Sequence, residues 1–214
     1  MKSHDPKSPP SPSMGSMTAL SREGLRAVTP LEDKRIQAVL AGERDAAESL
    51  LTELLPRVRN LVRYLLRGDE DVDDIAQESL IAILRGLPSW RGEGSFKSWS
   101  DRVVVRVTFA SIKKARATQH QSGGDAAVEL VTVPSEDAPP DDYVFRRDMV
   151  KLLDKLSDER RHALVLHYVL GMSVPEMTEE LGIPFETVRS RLRLGRGQLR
   201  ELYEKESSRG GSQG

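Results

Sequence analysis

The stretch SVPEMTEELGIPFETVRSRLRLGRGQLREL, residues 173–202, decides the fold. Ser173-Val-Pro-Glu176 has the spacing of a capping box, with Pro in the first helical turn. It opens a short helix that ends at Leu181. Gly182-Ile-Pro184 makes a three-residue turn. The next segment repeats apolar positions at helical spacing, and places Phe185, Val188, Leu192, Gly195, Leu199 and Leu202 inward. A short helix, a Gly-containing turn and a longer basic helix form a helix-turn-helix pattern.

Working upstream, Phe145, Met149, Leu152, Leu153 and Leu156 form one amphipathic helix. Ser157, followed by Asp158 and Glu159, caps another that runs to Gly171. This module spans residues 142–206, and residues 207–214 read as a frayed tail. Before it, residues 119–142 hold no Lys or Arg, six acids and three Pro. Residues 119–141 are therefore a flexible acidic linker.

A first helical module occupies residues 31–118. Leu50, Leu51, Leu54, Leu55, Val58, Leu61, Val62 and Leu65 keep a 3-and-4 spacing, and Pro56 within them predicts a kink or a break. A second helix carries Val72, Ile75, Ala76, Leu80, Ile83, Leu84 and Leu87 on one face and stops at Pro88. A third places Phe96, Trp99, Val103, Val107 and Ala110 inward. Residues 1–17 contain five Ser and four Pro and cannot build a core. Residues 1–30 are an N-terminal extension, disordered or weakly ordered. The fold class is all-α: two small helical modules joined by a flexible acidic linker.

Composition excludes several function classes. The 214 residues include no Cys, which removes disulfides, thiolate zinc sites and Cys nucleophiles. No apolar run is long enough to span a bilayer, and residues 1–17 have no Leu, Ile or Val to form a signal-peptide core. A soluble, cytosolic protein is the default expectation.

The net charge of −1 averages segments of opposite sign. Arg102, Arg106, Phe109, Lys113 and Arg116 form one stripe on the third helix, with no acid between them. Arg189, Arg193, Arg196 and Arg200 repeat that design on the last helix. A solvated helix face usually mixes signs, so two acid-free stripes point to phosphate tracking on nucleic acid. Asp69, Glu70, Asp71, Asp73, Asp74 and Glu78 form the acidic counterpart. Asp74, Gln77 and Glu78 share a helix face, which fits a protein-docking surface or a solvated helix start better than a metal site. His162 and His167 are five residues apart, off one helix face. No metal, cofactor or catalytic grouping is expected, and no enzyme activity. Trp90, Phe96 and Trp99 cluster around residues 89–99. Phe96 and Trp99 read as core, whereas Trp90 beside Arg91 fits either core or a stacking platform for an unpaired base.

These motifs resemble a known family. Asp74-Ile-Ala-Gln-Glu78, followed by Leu87-Pro-Ser-Trp-Arg-Gly-Glu-Gly-Ser-Phe-Lys-Ser-Trp99, is similar to region 2 of the extracytoplasmic-function (ECF) sigma factors. Gly182-Ile-Pro-Phe-Glu-Thr-Val-Arg-Ser-Arg-Leu192 is similar to their region 4. The resemblance implies a subunit that binds core RNA polymerase, recognises the −10 and −35 promoter elements and promotes initiation. It implies core docking by Asp74, Gln77 and Glu78. It implies −10 contacts by Trp90, Arg91, Ser95, Lys97, Arg102, Arg106 and Lys113. It implies −35 contacts by Thr187, Arg189, Ser190, Arg191, Arg193 and Arg196. Family members are often held by an anti-sigma factor. Glu186 departs from the family's small residue, and Gly195 and Gly197 each cost about 1 kcal/mol in a helix interior. The alternative is a helix-turn-helix regulator that binds duplex DNA without polymerase, which leaves the Asp74 face idle. Because the acidic linker is flanked by both basic stripes, it is also expected either to mask them or to act as a plain spacer.

Overall fold

Six side chains explain why a long helix of the first module runs on through its proline. In the computed structural model, which describes residues 30–92, 94–119 and 140–210, helix α2 runs unbroken from Arg44 to Leu65 through Pro56. Leu50 and Leu54 before the proline, and Val58, Leu61, Val62 and Leu65 after it, are all buried on one face. Each contributes about 1.5–3 kcal/mol, against about 3 kcal/mol for an interior proline. Burial on both sides therefore outweighs the missing hydrogen bond, and of the kink or break expected at Pro56 the break does not occur.

Helix α1 (Pro30–Leu40) precedes α2 and packs on it through the buried Ile36. After α2 come α3 (Val72–Gly86), a short 3-10 turn (Leu87–Ser89) and α4 (Phe96–Gln119). Helices α2, α3 and α4 pack mutually, with Ile75, Ala76, Ile83, Leu87, Phe96, Val104 and Val105 completing the core.

The inward face of α4 differs from the expected one. Ser100, Asp101, Val104, Val105 and Thr108 are buried, whereas Trp99, Val103 and Val107 are only half-buried and Ala110 is exposed. The polar members are satisfied in place. Asp101 receives two hydrogen bonds from Arg57 at 2.8 and 2.5 Å. Ser100 and Thr108 donate to the carbonyls of Lys97 and Val104. Once paired, such groups lie inside at little penalty.

The second module comprises α5 (Pro140–Asp154), α6 (Asp158–Leu164), a π-helical segment (Val165–Val169), α7 (Val174–Leu181) and α8 (Phe185–Gly210). Ser173 and Glu176 form the reciprocal capping box of α7. Gly182 ends α7 at φ 63°, a left-handed conformation that favours glycine. The turn to α8 is closed by the Thr187 N–H donating to the Pro184 carbonyl at 2.9 Å. Gly195 is a contact point and not merely a weak helix former. A Cβ there would meet Arg160 Cβ at 3.2 Å and its carbonyl at 3.3 Å, so α8 lies directly on α6.

Two further expectations are corrected. Phe185 is exposed: Val188 is the residue of the first turn of α8 that is buried, and the Arg189 guanidinium lies over the Phe185 ring at 5.9 Å. Residues 207–210 continue α8 where a tail was expected. The last turns are held by Arg200 and Glu204 at 2.8 Å, by a Lys155–Glu206 ion pair and by Ser208 donating to the Glu204 carbonyl. Residues 1–29 and 120–139, where the extension and most of the linker fall, lie outside the described residues, so the masking expectation is not addressed there. Among the described residues there is no strand, and no helix is long and apolar enough to cross a membrane.

Candidate nucleic-acid interface

Helix α3 presents its acidic residues in two ways. Asp73 pairs with Arg59 at 2.6 Å and Asp69 pairs with Arg63, which ties the start of α3 to α2. Asp74, Gln77 and Glu78 are exposed, and no ion pair of theirs is seen among the described residues. Ile81 continues the same face one turn later and leaves 42% of its surface exposed. Sequence pattern assigns Ile81 neither to the inward series of this helix nor to its acidic face. Its i+3/i+4 spacing from Glu78 and Gln77 is the signal that places it on this face.

The loop into α4 is built on aromatic packing. Phe96 stacks on Trp99 at 5.6 Å and meets Trp90 edge-on at 5.6 Å. Trp90 is thus half-buried, while Arg91 is exposed. Ser95 caps α4, accepting the Ser98 N–H at 3.1 Å. Lys97 is half-buried; burial, followed by repulsion from Arg57, lowers its pKa. Lys113 is exposed.

The remaining members of the α4 stripe turn towards the second module. Arg102 donates to Glu176 at 2.6 Å and Arg106 to Glu180 at 3.3 Å. Phe109 packs on the His162 ring at 4.8 Å, and Arg116 donates to Asp158 at 2.6 Å. Glu176 has a lowered pKa, first through the Ser173 backbone N–H and hydroxyl and then through Arg102.

A buried cluster lies under these contacts. Arg161 is fully enclosed, and donates from Nε to the Tyr64 carbonyl at 2.7 Å and from Nη2 to the Arg63 carbonyl at 3.1 Å. The same Nη2 pairs with Asp154 at 2.8 Å, and Asp154 also receives Arg63 at 2.7 Å. His162 Nε2 meets the Leu65 carbonyl at 3.1 Å. A carbonyl only accepts, so this nitrogen carries the proton. These carbonyls belong to the last turn of α2, where intrahelical partners run out. Burial pushes the Arg161 pKa down to about 10 despite Asp154, and burial also lowers that of His162. Sequence pattern does not show this cluster, because the α2 carbonyls that Arg161 and His162 meet lie 97 or 98 positions away.

Helix α8 carries the second stripe. Arg189, Arg193, Arg196 and Arg200 are exposed, Thr187, Ser190 and Arg191 are half-buried, and Glu186 pairs with Arg189 at 3.2 Å. Beside them runs an open groove of about 510 Å³, lined by residues that include His167, Tyr168, Leu192 and Arg196.

Comparison with known proteins agrees with this division. Residues 50–118 match sigma-70 region 2, and residues 146–199 match sigma-70 region 4, together more than half of the chain. The ECF RNA polymerase sigma factor SigE of Mycolicibacterium smegmatis is 28% identical over 190 residues, covering 85% of this chain and 72% of the relative. The ECF RNA polymerase sigma factor SigW of Bacillus subtilis is 28% identical over 176 residues, covering 78% and 94%. The sigma factor RpoE of Bartonella quintana, solved in complex with the anti-sigma factor NepR, shares the fold. Its TM-score is 0.57 at 22% identity, over 73% of this chain and 96% of that one. Two sigma-70 regions in order, with relatives of one type along most of the chain, establish that it belongs to the sigma-70 family as an ECF-type sigma factor.

Proposed function

We propose that the chain joins core RNA polymerase through α3 and directs it to promoters through α4 and α8. Asp74, Gln77 and Glu78 supply the polar part of the core-docking face, and Ile81 supplies an apolar anchor. Trp90, Arg91, Ser95 and Lys97 border the −10 element, with Arg102, Arg106 and Lys113 on its phosphates. The first turns of α8 enter the −35 major groove. Thr187, Arg189 and Ser190 are nearest the bases, and Arg191, Arg193 and Arg196 lie along the backbone. The protein does no chemistry of its own in this role; it positions polymerase, and works where polymerase does, in the cytoplasm. An anti-sigma factor is a further candidate partner, as the Bartonella relative has one.

One observation carries the reading. The exposed Asp74/Gln77/Glu78 face lies in a region 2 match, in the same chain as a region 4 match with an acid-free basic stripe. A regulator that only bound duplex DNA would need the second and not the first. Run-off transcription with purified bacterial core polymerase on a library of DNA fragments tests it. Transcripts that start at defined sites only when the chain is present support the assignment. Duplex binding without chain-dependent transcripts supports the simple regulator.

A further inference from the structure

The basic face of α8 carries an acid at its leading end. Glu186 lies in the first turn with its side chain 77% exposed, and accepts a hydrogen bond from Arg189 Nη1 at 3.2 Å. The Arg189 guanidinium also lies 5.9 Å from the centroid of the exposed Phe185 ring. Phe185, Glu186 and Arg189 thus form one surface constellation at the start of the helix. Helical phase sets where it points. Val188, Gly195 and Leu199 face inward and are buried. Glu186, Arg193 and Gly197, at i, i+7 and i+11, lie on the opposite side and are exposed. A Cβ on Gly197 would meet nothing within 4 Å, so this side faces open space.

We propose that Glu186 is a specificity-determining residue that selects a cytosine in the −35 element, beside a guanine read by Arg189. The proposal rests on the reading of α8 as the −35 helix. A carboxylate at this place repels phosphates, so it adds nothing to general affinity for DNA. It only accepts hydrogen bonds, and therefore needs a donor on a base edge. In the major groove, guanine offers the acceptors N7 and O6, and thymine the acceptor O4. Adenine offers its N6 donor beside the N7 acceptor, which repels the second carboxylate oxygen. Cytosine offers the N4 donor with no acceptor next to it, and is the base that a carboxylate takes. Arg189 supplies the planar fork that matches guanine O6 and N7. The carboxylate has two oxygens, so one holds Arg189 while the other accepts from cytosine. Glu186 and Arg189 start about 4.5 Å apart along the helix axis, close to the ~3.4 Å between base pairs. The cytosine therefore lies on the base pair next to the guanine. The Phe185 ring beneath the guanidinium limits its freedom before DNA arrives, which lowers the cost of ordering it on the base.

The test uses the full chain bound to purified bacterial core polymerase. The templates carry one promoter from the run-off screen with its upstream element randomised, and a barcode in the transcribed region reports which sequences are used. The parent should enrich cytosine by roughly tenfold at one position, next to an enriched guanine. Glutamine carries a donor beside its acceptor and pairs with adenine N6 and N7, so Glu186→Gln should change the preferred cytosine to adenine. Glu186→Ala should leave that position indifferent and keep the guanine, whereas Arg189→Ala should flatten the guanine. Circular dichroism checks that each variant is folded. Parental preferences in both Glu186 variants overturn base reading by Glu186 and leave the −35 reading standing. A Glu186→Ala variant that loses only the guanine shows a residue that merely positions Arg189, and overturns the proposal too. Folded Glu186 variants that both fail to start transcription overturn it as well, because a base reader sets preference and not the capacity to initiate. Transcripts from the parent with no preference at any upstream position overturn the −35 reading of α8 together with the proposal.

Discussion

The stripes on α4 and α8 are nearly the same sequence device in different surroundings. Arg102, Arg106 and Arg116 reach across to Glu176, Glu180 and Asp158, at sequence separations of 42 to 74 residues. Arg189 and Arg200 pair within their own helix, three and four residues away. A periodic charge pattern therefore identifies which face of a helix is basic, but not what the face meets. Three acids on a separate module decide that one stripe is covered and the other is open.

The comparison breaks first at Arg161. Arg161→Met removes the anchor beneath the covered stripe and leaves the open one untouched. It should cost about 3 kcal/mol of the closed form, the range for breaking a buried charged cluster. Urea unfolding followed by circular dichroism should then change from one cooperative step to two, as the modules uncouple. A single step at the parental midpoint would show that Arg161 does not join them.

The open stripe depends on how α8 rests on α6. Gly195→Ala would drive a Cβ into Arg160 and Leu164 and should destabilise by about 1–3 kcal/mol. Gly197→Ala faces open space and should stabilise by up to about 1 kcal/mol. Thermal unfolding of both variants checks the opposite signs.

Base reading by the open stripe is sharpened at Arg189. If it contacts a base, Arg189→Ala should cost ~1–3 kcal/mol on the preferred −35 duplex and flatten discrimination at one position. Arg193→Ala should instead weaken all duplexes alike and reduce the salt slope. Equal losses on every duplex for Arg189→Ala would move it to the backbone.

The smallest effect is that of pH on the covered stripe. Burial lowers the pKa of His162, which faces the Leu65 carbonyl on α2, Phe109 and Arg116 on α4, and Asp158 and Arg161 on α6. Below about pH 6.5, an imidazole released by opening takes up a proton that the closed form resists. Closure is therefore fully stable above that value and weakens as pH falls towards the depressed pKa. Energy transfer between dyes placed on each module at Asp45→Cys and Lys205→Cys, both exposed in a chain without cysteine, should decline from pH 7 to pH 5.5 in the otherwise unchanged chain and stay flat when His162→Gln is added.

Much of this architecture follows from local pattern. The capping box at Ser173, the left-handed Gly182 and most of the apolar spacing of α2 and α3 are short-range features that the structure has, although Leu55 of the α2 series is exposed. The inward face of α4 differs from its apolar periodicity because that pattern cannot show that Asp101 is satisfied by Arg57, 44 residues earlier. Hydrophobicity alone places Phe185 inside, whereas the helix phase buries Val188 of the same turn and leaves Phe185 exposed. The local penalty of Pro56 is visible in sequence, whereas burial on both sides of it is a tertiary property. The contacts between modules were invisible for the same reason, and the acids that cover α4 come from the helix-turn-helix module.

Binding of fluorescently labelled chain to purified core polymerase tests the central assignment most directly, by comparing the parent with Asp74→Ala/Gln77→Ala/Glu78→Ala. All three positions are exposed, and surface substitutions usually change stability by no more than about 0.5 kcal/mol each. The account predicts tight binding by the parent and at least a roughly tenfold weaker Kd for the triple variant, with helicity and thermal midpoint preserved. A triple variant that binds core as tightly as the parent would contradict it.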